Sequence, residues 1–195
     1  VTHDGKMENY DDIKKTYSIV PKSKLINKFI NYLKDHNLVP ALFFIFSRKE
    51  CERLALSVQT TLCDSEEISQ IDRIFKYELR NHKLTYENSP QYNSIYKLVL
   101  KGIAFHHSGL IPILKEVIEI LFEKGLIKVL FATETFAVGV NMPTKTVIFP
   151  RLTKYSNNNF RHLRTDEYLQ MAGRAGRRGL DKFGTVIILP IDDLM

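Results

Sequence analysis

The stretch GIAFHHSGLIPILKEVIEILFEKGLIKVLFAT, residues 102–133, holds a complete strand–helix–strand unit. GIAFHH is a short apolar run ending in two histidines. IPILKEVIEILFEKG repeats its apolar residues at helical spacing and closes on Gly125. IKVLFAT is apolar throughout and too short for a typical helix, so it reads as a strand buried on both faces. Two such strands joined through a helix make a parallel pair, and the sequence repeats the pattern on either side.

Towards the N-terminus, PALFFIF (40–46) is a second buried strand, bounded by Pro40 and Ser47. Before it, Leu25, Ile26, Phe29, Ile30 and Leu33 fall on one helical face after Pro21, and KTYSIV (15–20) alternates like a strand. After it, a helix is expected from about 48 to 62 with Cys51, Leu54, Ala55 and Val58 inward. Towards the C-terminus, KTVIF and GTVIIL are further strands. Strands at 16–20, 41–46, 103–106, 127–132, 145–149 and 184–189 predict an α/β fold, an open, mainly parallel sheet with helices on both faces. Residues 64–101 break this rhythm. DSEEISQIDRIFKYEL is amphipathic, with Asp64 or Ser65 as cap and Glu67 or Glu66 at the box position, and a second short helix follows near 91–100. They form an inserted helical hairpin. Residues 1–15 are a polar lead-in to a domain spanning 16–195.

Composition is near the globular average, and no apolar run approaches the roughly 18 residues that cross a bilayer. The start, VTHDGKMENY, has no secretory character and no initiating Met, so an intracellular piece of a longer protein, in nucleus or cytoplasm and not secreted, is expected. Cys51 and Cys63 are then expected as free, buried or half-buried thiols. The net charge of +6 is concentrated. Residues 151–182 carry eight basic and three acidic side chains, nearly the whole surplus. A polyanion partner is implied.

In an open parallel sheet, ligands sit outside the carboxyl ends of the strands. FATETFAVGVNMP (131–143) leaves one strand with Thr133, Glu134 and Thr135 and passes Gly139 to reach Asn141. It is either a phosphate-contacting loop or an ordinary capped turn. Ser47 and Arg48 open a helix, where the serine is a cap, a phosphate contact or both. His106 and His107 point to opposite faces, which disfavours a shared metal; one is expected to pack inside and the other to reach the ligand edge, beside the Ser108–Gly109 turn. EYLQMAGRAGRRGLD (167–181) places Arg174 and Arg177 three apart after a helix bearing Gln170. Two guanidiniums converging on one point call for an anion such as a nucleotide γ-phosphate. The alternative is a loosely ordered basic loop.

QMAGRAGRRG resembles motif VI of superfamily 2 helicases, ATETFAVGVNMP their motif V and FFIFSRKECE their motif IV. The longer runs HHSGLIPILKEVIEILFEKGLIKVLFATETFAVGVNMP and EYLQMAGRAGRRGLD, with the hairpin, resemble Ski2-like DExH-box RNA helicases. The resemblance covers about residues 16–195 and implies a second RecA-like domain. The sequence has neither GxxxxGK[ST] nor a DExH box, which in this family belong to the first RecA-like domain. It implies that ATP with Mg2+ lies between the two domains, the metal held mainly by the first. It implies Arg174 and Arg177 as arginine fingers, Gln170 between γ-phosphate and the acidic box, and Gly139 and Asn141 near the nucleotide. Asn141 replaces an aspartate common elsewhere in the superfamily. Ser47, Arg48, Gly109, Thr133 and Glu134 would line a single-stranded RNA path, and Arg178 is structural or RNA-facing. Partners implied are the first RecA-like domain, RNA and an exosome-type complex, with no membrane. The isolated domain is expected not to hydrolyse ATP.

Overall fold

Four-residue apolar runs with no polar face can only be strands covered on both sides, and the computed structural model arranges them so. It describes residues 22–81, 83–139, 142, 144–156, 158–177 and 179–189; the strand expected at 16–20, the lead-in, Asn141 and Arg178 lie outside these. In chain order the elements are α1 (Lys22–Asp35), β1 (Ala41–Phe44), α2 (Arg48–Ser57), α3 (Ser65–Glu78), α4 (Lys83–Tyr86), α5 (Pro90–Val99), β2 (Ile103–His106), α6 (Pro112–Glu123), β3 (Val129–Ala132), α7 (Thr135–Gly139), β4 (Thr146–Phe149), β5 (Thr153–Ser156), β6 (Asn159–His162), α8 (Thr165–Ala172) and β7 (Thr185–Ile188).

The main sheet is parallel throughout, in the order β2-β3-β1-β4-β7. All the residues of β1, β2, β3 and β4 are buried. Phe43 and Phe131 face each other across the central pair, ring centroids 4.8 Å apart. This is the open parallel α/β arrangement the strand pattern implies, and the RecA-like one the resemblance implies.

The helix expected over 48–62 stops at Ser57. Asn27 of α1 explains the stop: its amide donates to Ser57 O at 2.9 Å and its carbonyl accepts from Gln59 N at 2.8 Å. That clamp turns the chain extended at Val58. In the inserted segment, Asp64 and Glu67 form the capping box. Its helices are part of the core, since Ile71, Phe75, Ile95, Leu98 and Val99 are all buried. Phe75 stacks edge-on to Tyr92 at 5.4 Å. Cys51 and Cys63 are free and buried, and burial pushes both thiols up, Cys63 to about 11.

The antiparallel hairpin β5–β6 stands apart from the main sheet and has no counterpart in the expected strands. Its signal was legible: alternating residues flank an asparagine run, and Asn158 takes a left-handed φ of 63°.

Candidate nucleic-acid interface and arginine turn

At the carboxyl edge, the ladder continues past the strand ends. Ile45 N–H donates to Ala132 O at 2.8 Å and Thr133 N–H to His106 O at 3.1 Å. The segments after β1, β2 and β3 therefore emerge side by side. Between them and the hairpin lies a cleft of about 190 Å3, lined by Phe46, Arg48, Ser108, Thr133 and Glu134 among others. An adjoining hollow of about 300 Å3 is lined by Ser47, Arg151, Tyr155 and Phe160 among others. A Cβ on Gly109 would lie 3.6 Å from Arg48 Cδ, so that turn borders the same cleft. Ser47, Arg48, Gly109, Thr133 and Glu134 thus share one edge.

Their local bonds follow from the elements that carry them. Ser47 Oγ caps α2 by accepting from Glu50 N–H at 3.4 Å. The hydroxyls of Thr133 and Thr135 lie 2.9 Å apart. Gly109 is held on two sides: its N–H donates to His107 Nδ1 at 3.1 Å, and Gln91 of α5 donates to its carbonyl at 3.1 Å. The inserted hairpin thereby braces the turn. Gln91, Tyr155 and Phe160 are absent from the residues singled out in the sequence.

The expectation for the histidines needs correction: neither reaches the ligand edge. His106 and His107 are both buried, with Nε2 2.8 Å from Glu119 Oε1 and 2.9 Å from Glu52 Oε1 respectively. Burial lowers both ring pKa values, although the glutamates pull the other way. Each ring is a packed strut on a neighbouring helix.

The arginine turn also departs from expectation, in position and in pairing. It precedes β7 and packs against Thr144, ahead of β4, so its backbone lies at the amino edge of the sheet. Thr144 N–H donates to Arg174 O at 2.8 Å and Gly176 N–H to Thr144 O at 2.6 Å. The guanidiniums do not stand unpaired and converging. Arg174 donates to the Ala137 carbonyl of α7. Arg177 forks onto Asp181, with Nε–Oδ2 at 2.8 Å and Nη2–Oδ1 at 2.9 Å. Asp181 also accepts from the Arg177 backbone at 3.0 Å, and the Arg177 contact pushes its carboxyl down to about 2. Among the described residues, Arg174 has no carboxylate partner. Gln170 is exposed on α8.

The glycines in this turn have a packing reason. Gly176 has φ +93°, and a Cβ on Gly184 would lie 2.3 Å from Ala175 O. Backbone meets backbone here, which fixes the turn without any ligand. The basic charge is also largely answered within the fold: Lys154 pairs with Glu134 and Glu167, Arg161 with Glu167, and Arg164 with Asp166. A loose polyanion-binding loop does not fit such a segment.

The helicase conserved C-terminal domain family matches residues 83–179. This span runs from the inserted helices through the cleft-lining turns to the arginine turn. The chain belongs to that helicase family. It is 48% identical over 170 residues to the antiviral helicase SKI2 of Saccharomyces cerevisiae, covering 87% of this chain and 13% of that protein. It is 47% identical over 171 residues to the ATP-dependent RNA helicase mtr4 of Schizosaccharomyces pombe, covering 87% of this chain and 15% of that protein. It is 44% identical over 171 residues to the human exosome RNA helicase MTR4, covering 86% and 16%. The helicase lobe therefore spans less than a fifth of the length of these relatives. Among its described residues no helix is long and apolar enough to cross a membrane, and no three His, Cys, Asp or Glu side chains cluster as metal ligands.

Proposed function

We propose that this lobe is the second RecA-like half of an ATP-dependent RNA helicase, working 3′→5′ inside the cell, in nucleus or cytoplasm. The observation that carries the reading is the contact of Arg174 with Ala137, which joins the arginine turn to the segment leaving β3 beside the cleft. A guanidinium held by a carbonyl, with no carboxylate to neutralise it among the described residues, suits the oxygens of a γ-phosphate. When bound, ATP with Mg2+ supplies the phosphoryl group whose charge such a guanidinium stabilises. Arg174 is the principal finger. Arg177 is the second, and it leaves Asp181 when the lobes close. Gln170, exposed one turn before Arg174, serves the γ-phosphate in this reading, and the resemblance assigns Gly139 and Asn141 to the nucleotide.

The carboxyl edge takes the RNA. Thr133, Ser47 and Gly109 present hydroxyls and backbone to sugar and phosphate, Arg48 supplies a cation, and Glu134 shapes the turn. Tyr155 and Phe160, 60% and 69% exposed, offer rings for bases. Such contacts favour no sequence. Partners are the first RecA-like domain, which supplies the phosphate loop and acidic box, single-stranded RNA and an exosome-type assembly. Alone, the lobe hydrolyses no ATP.

The test is ATP hydrolysis and unwinding by the intact protein on duplexes with 3′ tails. RNA-stimulated hydrolysis and preferred use of RNA tails are expected. Equal or better use of DNA tails overturns the RNA assignment in favour of a DNA helicase, since backbone contacts tell the sugars apart only through the 2′-hydroxyl. Absence of hydrolysis overturns the motor.

A further inference from the structure

Lys154, near the start of β5, borders both hollows of the carboxyl edge, yet its ammonium is held by carboxylates of the fold. Its ammonium lies 2.5 Å from Glu134 Oε2 and 2.9 Å from Glu167 Oε1. The side chains of Lys154 and Glu167 are only 11% and 13% exposed, so this bridge is sheltered from solvent in a way surface pairs are not. Glu134 sits in the turn that leaves β3 at the cleft. Glu167 sits in the first turn of α8, the helix that ends in the arginine turn.

Glu167 is saturated. Arg161 forks onto it at 2.7 and 2.8 Å, and the Arg164 backbone N–H donates to it at 2.9 Å. The Arg161 contact, with Lys154 and that N–H, holds its carboxyl well below the usual range. Burial alone would lower the Lys154 pKa, but its two carboxylates raise it, so the amine stays charged.

The segment 134–137 consequently touches α8 and the arginine turn at both ends. Glu134 reaches the helix start through Lys154, and the Ala137 carbonyl takes the Arg174 guanidinium just past the helix end. Arg174 follows Glu167 by seven residues, about 10 Å along a helix. A short helix pinned at two points to one segment moves when that segment moves.

We propose that Lys154 is a positioning residue that carries RNA occupancy at the 133–135 turn, through Glu167, to the arginine turn. The proposal rests on the reading that the cleft takes RNA and that Arg174 serves the nucleotide.

The readout is linkage. In the intact protein, the affinity for a single-stranded oligoribonucleotide is measured with and without a non-hydrolysable ATP analogue, the ratio giving the coupling factor. The unaltered protein should show a factor of about 5 or more, within the usual span for coupled sites. Lys154→Met keeps the apolar stem and should bring the factor, a ratio of two RNA affinities of the same variant, below about 2. Lys154→Arg should retain more than half of the factor. Thermal unfolding confirms that each variant folds. An unchanged factor in Lys154→Met overturns the proposal, as does equal loss of the factor in Lys154→Arg and Lys154→Met. Failure of the underlying reading looks different: no RNA binding, or hydrolysis that ignores Arg174→Ala, whatever happens at Lys154.

Discussion

The two edges of the sheet are built differently, although every crossover between its parallel strands runs from one to the other. At the amino edge, the arginine turn is pressed against Thr144 and the start of β7 so closely that no side chain fits between the backbones, and both arginines already have acceptors. At the carboxyl edge, turns separated by an open cleft present hydroxyls, a glycine and exposed rings. The tight edge holds its guanidiniums in one place, which is what the proposed phosphoryl-transfer role asks of it. The open edge leaves room for any base, which is what the proposed RNA path asks of it.

Substitutions can break or sharpen this contrast. Gly184→Ala drives a methyl against the Ala175 carbonyl and should cost about 3 kcal/mol in denaturant unfolding. Gly109→Ala at the open edge meets the His107 ring at 3.2 Å and Arg48 Cδ at an ordinary 3.6 Å, and should cost about 1 kcal/mol. Equal costs would erase the distinction. Asp181→Ala removes three hydrogen bonds to Arg177 and should cost about 2 kcal/mol. Ser47→Ala with Thr133→Ala should weaken RNA binding by the intact protein about tenfold, or about 1.4 kcal/mol, seen by fluorescence anisotropy. No loss would move the RNA path away from this edge.

Acid tests the buried histidines beneath the open edge. His106 faces Glu119 and Lys115, and His107 faces Glu52 and Arg48. Both folded pKa values lie below the ordinary 6.5, so the unfolded chain binds more protons between the two values. Their contribution is complete above about pH 6.5 and is lost as pH falls towards the lower folded values. The unfolding midpoint should drop from pH 7 to 5.5, and His107→Gln should flatten that slope.

The sequence displays the strands of the main sheet because apolar runs of that length have no other use. Helix ends were less legible: α2 stops at Ser57 because Asn27, 30 residues away, captures its last turn. The RNA-side candidates converge because topology alone brings strand ends together. The arginine turn lies at the amino edge because it enters β7, which runs parallel to β4, so it is not among the segments that leave the strands. Its pairing was hidden by Asp181, an acidic residue four positions on whose grip depends on the bend at Gly179, φ +79°. Lys154 left no signal because charge pairs across elements leave no mark on periodicity, whereas the β5–β6 hairpin was marked by its asparagine run.

The most direct test is Arg174→Ala in the intact protein, with RNA-stimulated ATP hydrolysis and RNA affinity measured on the same preparation. Hydrolysis should fall by about a thousandfold, the usual scale for an arginine finger, with RNA affinity held within about twofold. Undiminished hydrolysis together with weakened RNA binding would contradict the account and make the arginine turn a nucleic-acid contact instead.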